Sequence, residues 1–264
     1  MSKKAVILMA VLLAALPGPA AAAAIVFSTS TDVGGVVDSF RAALGDPNNG
    51  NAAGPLIDGR REINWDGGGS SATATAGTPF TGFRNIRGAT FTTPGTGFVQ
   101  APPSGLATLF GNAAYADFSV FSPLRLFSAI GSNVTDTTFN VPGTLIPAYV
   151  TGFGAVFSGV SIENTTSIEF FDLAGNSLGG SFAPVSGEAG LSFLGVIFDA
   201  GERIGSVRIT SGNTAPGPGE NIEIDVVFMD DFLYSEPQAV PEPGSLVLVG
   251  AALAAAGLFR LRKR

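Results

Sequence analysis

Short apolar runs with a period near two restrict the fold of this chain more than any other feature. In Ser167-Ile-Glu-Phe-Phe-Asp172 and in Arg203-Ile-Gly-Ser-Val-Arg-Ile-Thr210, apolar and polar residues alternate. That is the pattern of a strand with one face in a core and the other in water. Further runs of strand length stand at 24–27, 116–121, 153–160, 191–198 and 222–234. Turn-forming sequences, notably Asp172-Leu-Ala-Gly-Asn-Ser177 and Asp199-Ala-Gly-Glu202, separate them. The expected fold is all-β, an antiparallel β-sandwich that is jelly-roll-like. One short N-terminal helix is expected, because Val33, Val36, Val37, Phe40 and Leu44 follow helical spacing. Asp32 or Thr31 would cap it and Gly45 would end it. Residues 46–59 and 67–77 read as loops rich in small and turn-forming residues. The second lacks a phosphate-loop lysine and the strand–helix context of a nucleotide site.

Two apolar segments bracket this sandwich. Residues 1–24 read as a secretory signal peptide with its own signal helix: Lys3 and Lys4, an apolar core over 5–16, the breaker Pro17-Gly18-Pro19, and Ala-x-Ala sites over 20–24. Cleavage is expected after Ala22, Ala23 or Ala24, which leaves residues 25–239 as the exported domain. Residues 240–264 form a tail of three parts. Pro241-Glu242-Pro243 is stiff and non-helical, since each proline fixes its own φ and biases the residue before it. Residues 245–259 carry no charge, and Arg260, Arg262, Lys263 and Arg264 close the chain. At ~1.5 Å per residue, 245–261 would span roughly 25 Å as a helix, close to a ~30 Å hydrocarbon core. Snorkelling arginines and local thinning cover the difference. A single C-terminal transmembrane helix is expected, with its basic end in the cytoplasm and the domain outside.

This tail resembles the PEP-CTERM sorting signal of Gram-negative bacteria that make exopolysaccharide. The resemblance rests on the Pro-Glu-Pro motif, one short span and an Arg-rich terminus in that order, and covers about a tenth of the chain. It implies recognition by an exosortase, a membrane cysteine protease that cuts near the motif and passes the protein to the surface. It implies an address and no activity. A plain C-terminal anchor is the alternative reading of the same residues.

Charge and missing residue types exclude several functions. Between the two terminal segments, eight arginines and no lysine face twenty acids, a net charge of −12. Such a surface is unsuited to nucleic acid or to anionic membrane. The chain has no cysteine and no histidine. Disulfides, thiol catalysis, Ser-His-Asp triads and nearly all transition-metal sites are thereby excluded. An enzyme on this scaffold would work with carboxylates, Tyr, Arg or a hard metal ion.

Two constellations remain. Trp65, the only tryptophan, stands between Asn64 and Asp66 in Arg60-Arg-Glu-Ile-Asn-Trp-Asp-Gly67. It would stack on a sugar ring while its neighbours bond the hydroxyls, or else serve as a core or edge residue, the favoured reading. Asp230-Asp231 interrupts an otherwise apolar strand, and buried carboxylates need a partner or a metal. By architectural resemblance to jelly-roll carbohydrate-binding modules the pair is a weak candidate for calcium; the alternative is one Asp in solvent and one on an Arg. No cofactor and no catalytic residue is otherwise indicated, and the chain is read as a non-enzyme. The leading expectation is a cell-surface or extracellular-matrix protein with a structural or binding role beside exopolysaccharide. A carbohydrate-binding module around Trp65 and a carboxylate-dependent glycan-active enzyme are the alternatives.

Overall fold

A computed structural model describes residues 24–219 and 223–240. The signal peptide and the sorting tail expected from the sequence lie outside the described residues, apart from Ala24, Ala239 and Val240 at their edges. The chain enters on β1 (Ala24–Thr29) and α1 (Val33–Leu44). It continues through β2 (Arg60–Ile63), β3 (Ala74–Gly77), the four-residue α2 (Arg84–Arg87), β4 (Ala89–Thr92) and β5 (Gly97–Ala101). After α3 (Pro103–Phe110) come β6 (Leu126–Ile130), β7 (Val134–Phe139), β8 (Ala148–Tyr149) and β9 (Gly152–Ser158). Then follow β10 (Ser167–Phe171), β11 (Ser177–Phe182), β12 (Leu191–Phe198), β13 (Ser206–Thr210), β14 (Phe228–Ser235) and β15 (Gln238–Ala239).

Antiparallel pairing dominates. The larger sheet has the order β1-β12-β9-β14-β6-β5-β3, with β2 also paired to β14. The smaller has the order β11-β10-β13-β7-β4. From β6 onward the chain passes back and forth between the sheets, so strands adjacent in space are mostly distant in sequence. The sheets share one apolar layer. Phe127, Phe153 and Phe232 enter it from the larger sheet, and Phe91, Phe170 and Ile209 from the smaller. Alternation fixes the register: in β10 and β13, Ile168, Phe170, Val207 and Ile209 are buried while Glu169 and Arg208 are exposed.

Helix α1 has the boundaries its sequence predicts. Asp32 Oδ1 accepts a hydrogen bond from Gly35 N at 3.1 Å. Gly45 ends the helix at φ 104°, in the left-handed region that glycine enters without penalty. Its buried side, Val37, Phe40 and Leu44, packs on the outer face of the larger sheet against Val156, Phe193 and Leu233. Phe40 fits a notch made by the paired glycines Gly154 and Gly195, where any Cβ would stand within 2.9 Å of its ring. Burying that ring contributes on the order of 1.5–3 kcal/mol.

Three sequence expectations need correction. Residues 116–121 form no strand: 113–117 is a short 3-10 turn and 118–121 is irregular. Their backbone is bonded by side chains instead, Ser119 O accepting from Ser158 Oγ and Phe121 N donating to Asp230. The supposed loop 67–77 contains β3, whose small residues suffice because pairing with β5 needs only backbone groups. Helix α3, like the single turn α2, is additional to the expected single helix. Pro103 opens it at N1, where a missing N–H costs nothing.

Candidate functional site

The end of the fold is tied down residue by residue. β15 pairs with β8 through Gln238↔Tyr149 and Ala239↔Ala148. Val240 N then donates to Pro147 O at 3.1 Å. Just upstream, Glu236 is buried against Arg61, which donates from Nε and Nη2 at 2.5 and 2.7 Å. Asn49 Nδ2 and Leu56 N also donate to this carboxylate. Arg61 Nη1 in turn donates to Gly50 O and Ala52 O, both at 2.8 Å. Glu236 N closes the clasp on Gly59 O at 3.0 Å. Gly59 is required there, since at φ 104° a Cβ would meet Pro47 O at 2.4 Å. One bidentate pair thus fixes the loop of residues 49–59 to the last strand. Pro241-Glu242-Pro243 and the basic end Arg260, Arg262, Lys263 and Arg264 lie outside the described residues, one residue and twenty residues beyond Val240.

Trp65 is not a sugar platform. It has no exposed surface and sits in the inter-sheet core at φ 63°. Its indole stacks on Phe127 at 3.7 Å between centroids, 3° from parallel, with the edges of Phe83 and Phe232 against it. The left-handed backbone costs on the order of 1–2 kcal/mol, which burial of so large a ring offsets. Asp66 is buried as well and accepts from Arg125 N at 3.0 Å, while Asn64 is exposed. The core side of the two readings is the one adopted: β2 ends at Ile63, and the left-handed turn at Trp65 puts the ring beside Phe127 and Phe232.

Asp230 and Asp231 sit in an interruption of the larger sheet. β14 carries one extra residue between Met229, opposite Phe157, and Phe232, opposite Ala155. On its other side Met229 meets Phe127 of β6, whereas Phe232 meets Ile63 of β2. The aspartates occupy the gap where one neighbour ends and the next begins. Trp65 Nε1 fills part of it by donating to Asp230 O at 2.9 Å. Both carboxylates are buried beneath α1 and the segment 118–122. Asp230 accepts from Phe121 N at 2.6 Å and from Ser122 Oγ at 3.0 Å. Asp231 has Arg41 at 3.5 Å, an arginine it shares with Glu62. Asp231 Oδ1 is buried without a hydrogen-bond donor.

Electrostatics follows from that supply of donors. Burial, and then the adjacent charge of Asp231, push the Asp230 carboxyl well above the usual carboxylate range. Burial also raises Asp231, with Ser122, Asp230 and Arg41 pulling partly back. A proton on Asp230 would supply the donor that Asp231 Oδ1 lacks. Calcium would need six to eight oxygens. Among the described residues no group of three or more potential ligand side chains converges. The sequence pointed to the two aspartates but not to Arg41, Glu62 and Ser122, which are brought to them only by folding. The same holds for Arg61 and Glu236, 175 positions apart.

Comparison with known proteins bears on the tail alone. Residues 239–264 match the PEP-CTERM protein-sorting motif. No curated protein and no solved structure matches the chain. The motif supports an exported, surface-directed protein sorted by an exosortase.

Proposed function

We propose that this chain is made as a membrane-anchored precursor, cut near Pro241-Glu242-Pro243 by an exosortase-type protease, and delivered to the exopolysaccharide layer in a structural or binding role. Residues 1–24 serve as its signal peptide. The observation that carries the reading is where the last described strand lies. The last paired residue among the described ones, Ala239, and the bond of Val240 to Pro147 directly precede the motif, and the motif's match begins at residue 239. Cleavage at the motif therefore releases all the described strands of the two-sheet domain together. The interleaving of β6, β7, β9, β10, β11, β12, β13 and β14 supports reading that domain as a jelly-roll sandwich.

The domain is read as non-catalytic. Its one tryptophan is committed to the core, and its most perturbed carboxylates are roofed by a helix and a bonded segment. It is also read as independent of calcium, so a chelator should leave its melting temperature unchanged. A loss reversed by calcium would return the metal to Asp230 and Asp231.

The test of sorting replaces Pro241-Glu242-Pro243 by three alanines. Export should continue while full-length precursor accumulates in the inner membrane. Delivery of the variant to the surface with the wild-type C-terminus would reduce the tail to a plain anchor.

A further inference from the structure

Three large aliphatic side chains stand in water around the chain's exit from an acidic domain. Ile57 is 93% exposed, Leu145 71% and Ile146 52%. All three lie on loops tied to the last described residues. Ile146 adjoins Pro147, whose carbonyl accepts from Val240 N, and Gln238 Nε2 donates to Leu56 O at 2.7 Å. The loops also touch each other, since Gly54 N donates to Pro142 O at 3.0 Å. Neither 47–57 nor 140–147 contains a charged residue, nor does 237–240, and exposed Asp46 and Asp58 flank the first. Large aliphatic side chains held in water favour an apolar or interfacial partner.

Geometry says which partner. From Val240 to Ser245, the first residue of the uncharged apolar run, the chain can span at most roughly 18 Å. The N-terminal exit lies at the same end of the domain. Ala24 pairs with Phe198, Phe198 N donates to Thr151 O, and Thr151 N donates to Ser235 Oγ. Both apolar terminal segments of the precursor thus leave one end of the sandwich. At the far flank of that end the turns carrying Asp172, Asp199 and Glu202 are acidic, which confines the apolar contact to the flank of Ile57, Leu145 and Ile146.

We propose that Ile57, Leu145 and Ile146 form a membrane-seating surface that rests in the interfacial region of a phospholipid bilayer while the tail holds the precursor. The inference depends on the anchored-precursor reading above and adds which face of the domain meets lipid. Seating would hold Val240, and with it the neighbouring motif, at the bilayer surface.

The absence of cysteine makes the test direct. Ile57→Cys, Leu145→Cys and, as a reference, Phe182→Cys are introduced singly into the full precursor, spin-labelled and reconstituted in phospholipid vesicles. Phe182 is exposed at the opposite end of the smaller sheet, reached through Ser167, Thr210 and the start of β7. Labels at 57 and 145 should collide several-fold more with oxygen dissolved in lipid, relative to an aqueous nickel chelate, than the label at 182. If the precursor floats with the vesicles but all three labels report water, the seating surface is refuted while anchoring stands. If labels at 57 and 145 are shielded from both reagents, protein or tail covers them and lipid does not. If the precursor does not float at all, the anchored reading falls and the surface falls with it.

Discussion

Glu236 and Asp230 stand six positions apart, one just past β14 and one in its middle, and both are out of water. Their surroundings supply donors very differently. Every oxygen of Glu236 has two donors, and the arginine that binds it is itself satisfied by two carbonyls. Asp230 and Asp231 are adjacent buried carboxyls, with one arginine 3.5 Å from Asp231 and one oxygen left without a donor. The first arrangement is a permanent lock on the loop that carries Ile57 and on the strand that leads to the tail. The second is a site whose charge depends on pH. Burial alone therefore does not say what an ionised group does in this fold; the count of donors around it does.

The comparison breaks most visibly at the lock. Glu236→Ala leaves Arg61 buried and uncompensated, which should cost ~3–5 kcal/mol. In a domain of this size that lowers Tm by roughly 6–20 °C, readable by thermal melting of the released domain. A change within a degree or two would mean that water reaches Arg61 and that the clasp is not sealed.

Asp230→Asn should act in the opposite direction. The folded-state pKa of Asp230 lies above its unfolded value, so its contribution is fully present at acid pH and is lost as pH rises through the raised value. The amide can still accept from Phe121 N and can donate to Asp231. At neutral pH the variant should melt a few degrees above the wild type, at about 2–4 °C per kcal/mol. The gap should close as pH falls toward the unfolded carboxylate range. A variant that is less stable at every pH would show that Asp230 is ionised and well compensated.

The smallest effect belongs to an exposed pair. Arg208 and Asp136 face each other directly across β13 and β7 on the solvent side, 2.8 Å apart. Asp136→Ala should cost under ~1 kcal/mol, and less in high salt.

These contrasts also mark what a sequence of this kind discloses. α1 was legible because helical spacing, Asp32 and Gly45 agree at three levels. β10 and β13 were legible because their apolar residues alternate onto one core, and β12 because it is apolar throughout, one face on that core and the other on α1. Residues 116–121 looked like a strand and are not: side chains from β9 and β14, Ser158 and Asp230, take two of their backbone groups instead. β3 looked like a loop because its strand character comes from a partner, β5, and not from its own side chains. At the candidate sites, Asp230-Asp231 was visible as acid within an apolar run. Whether it met a metal, an arginine or a proton depended on α1 and Ser122, more than a hundred residues upstream. Trp65 was expected in a core or edge position and is in the core, but its stacking partner Phe127 and the left-handed turn that carries it were not visible in its polar neighbours.

The central proposal is that the residues beyond Val240 are an address removed in transit. Intact-mass measurement of the protein recovered from the cell surface tests it most directly. A species beginning at residues 23–25 and ending at or close to 241–243 is predicted, with Arg260 to Arg264 missing from the surface form. A surface species that retains Arg264 would contradict the account.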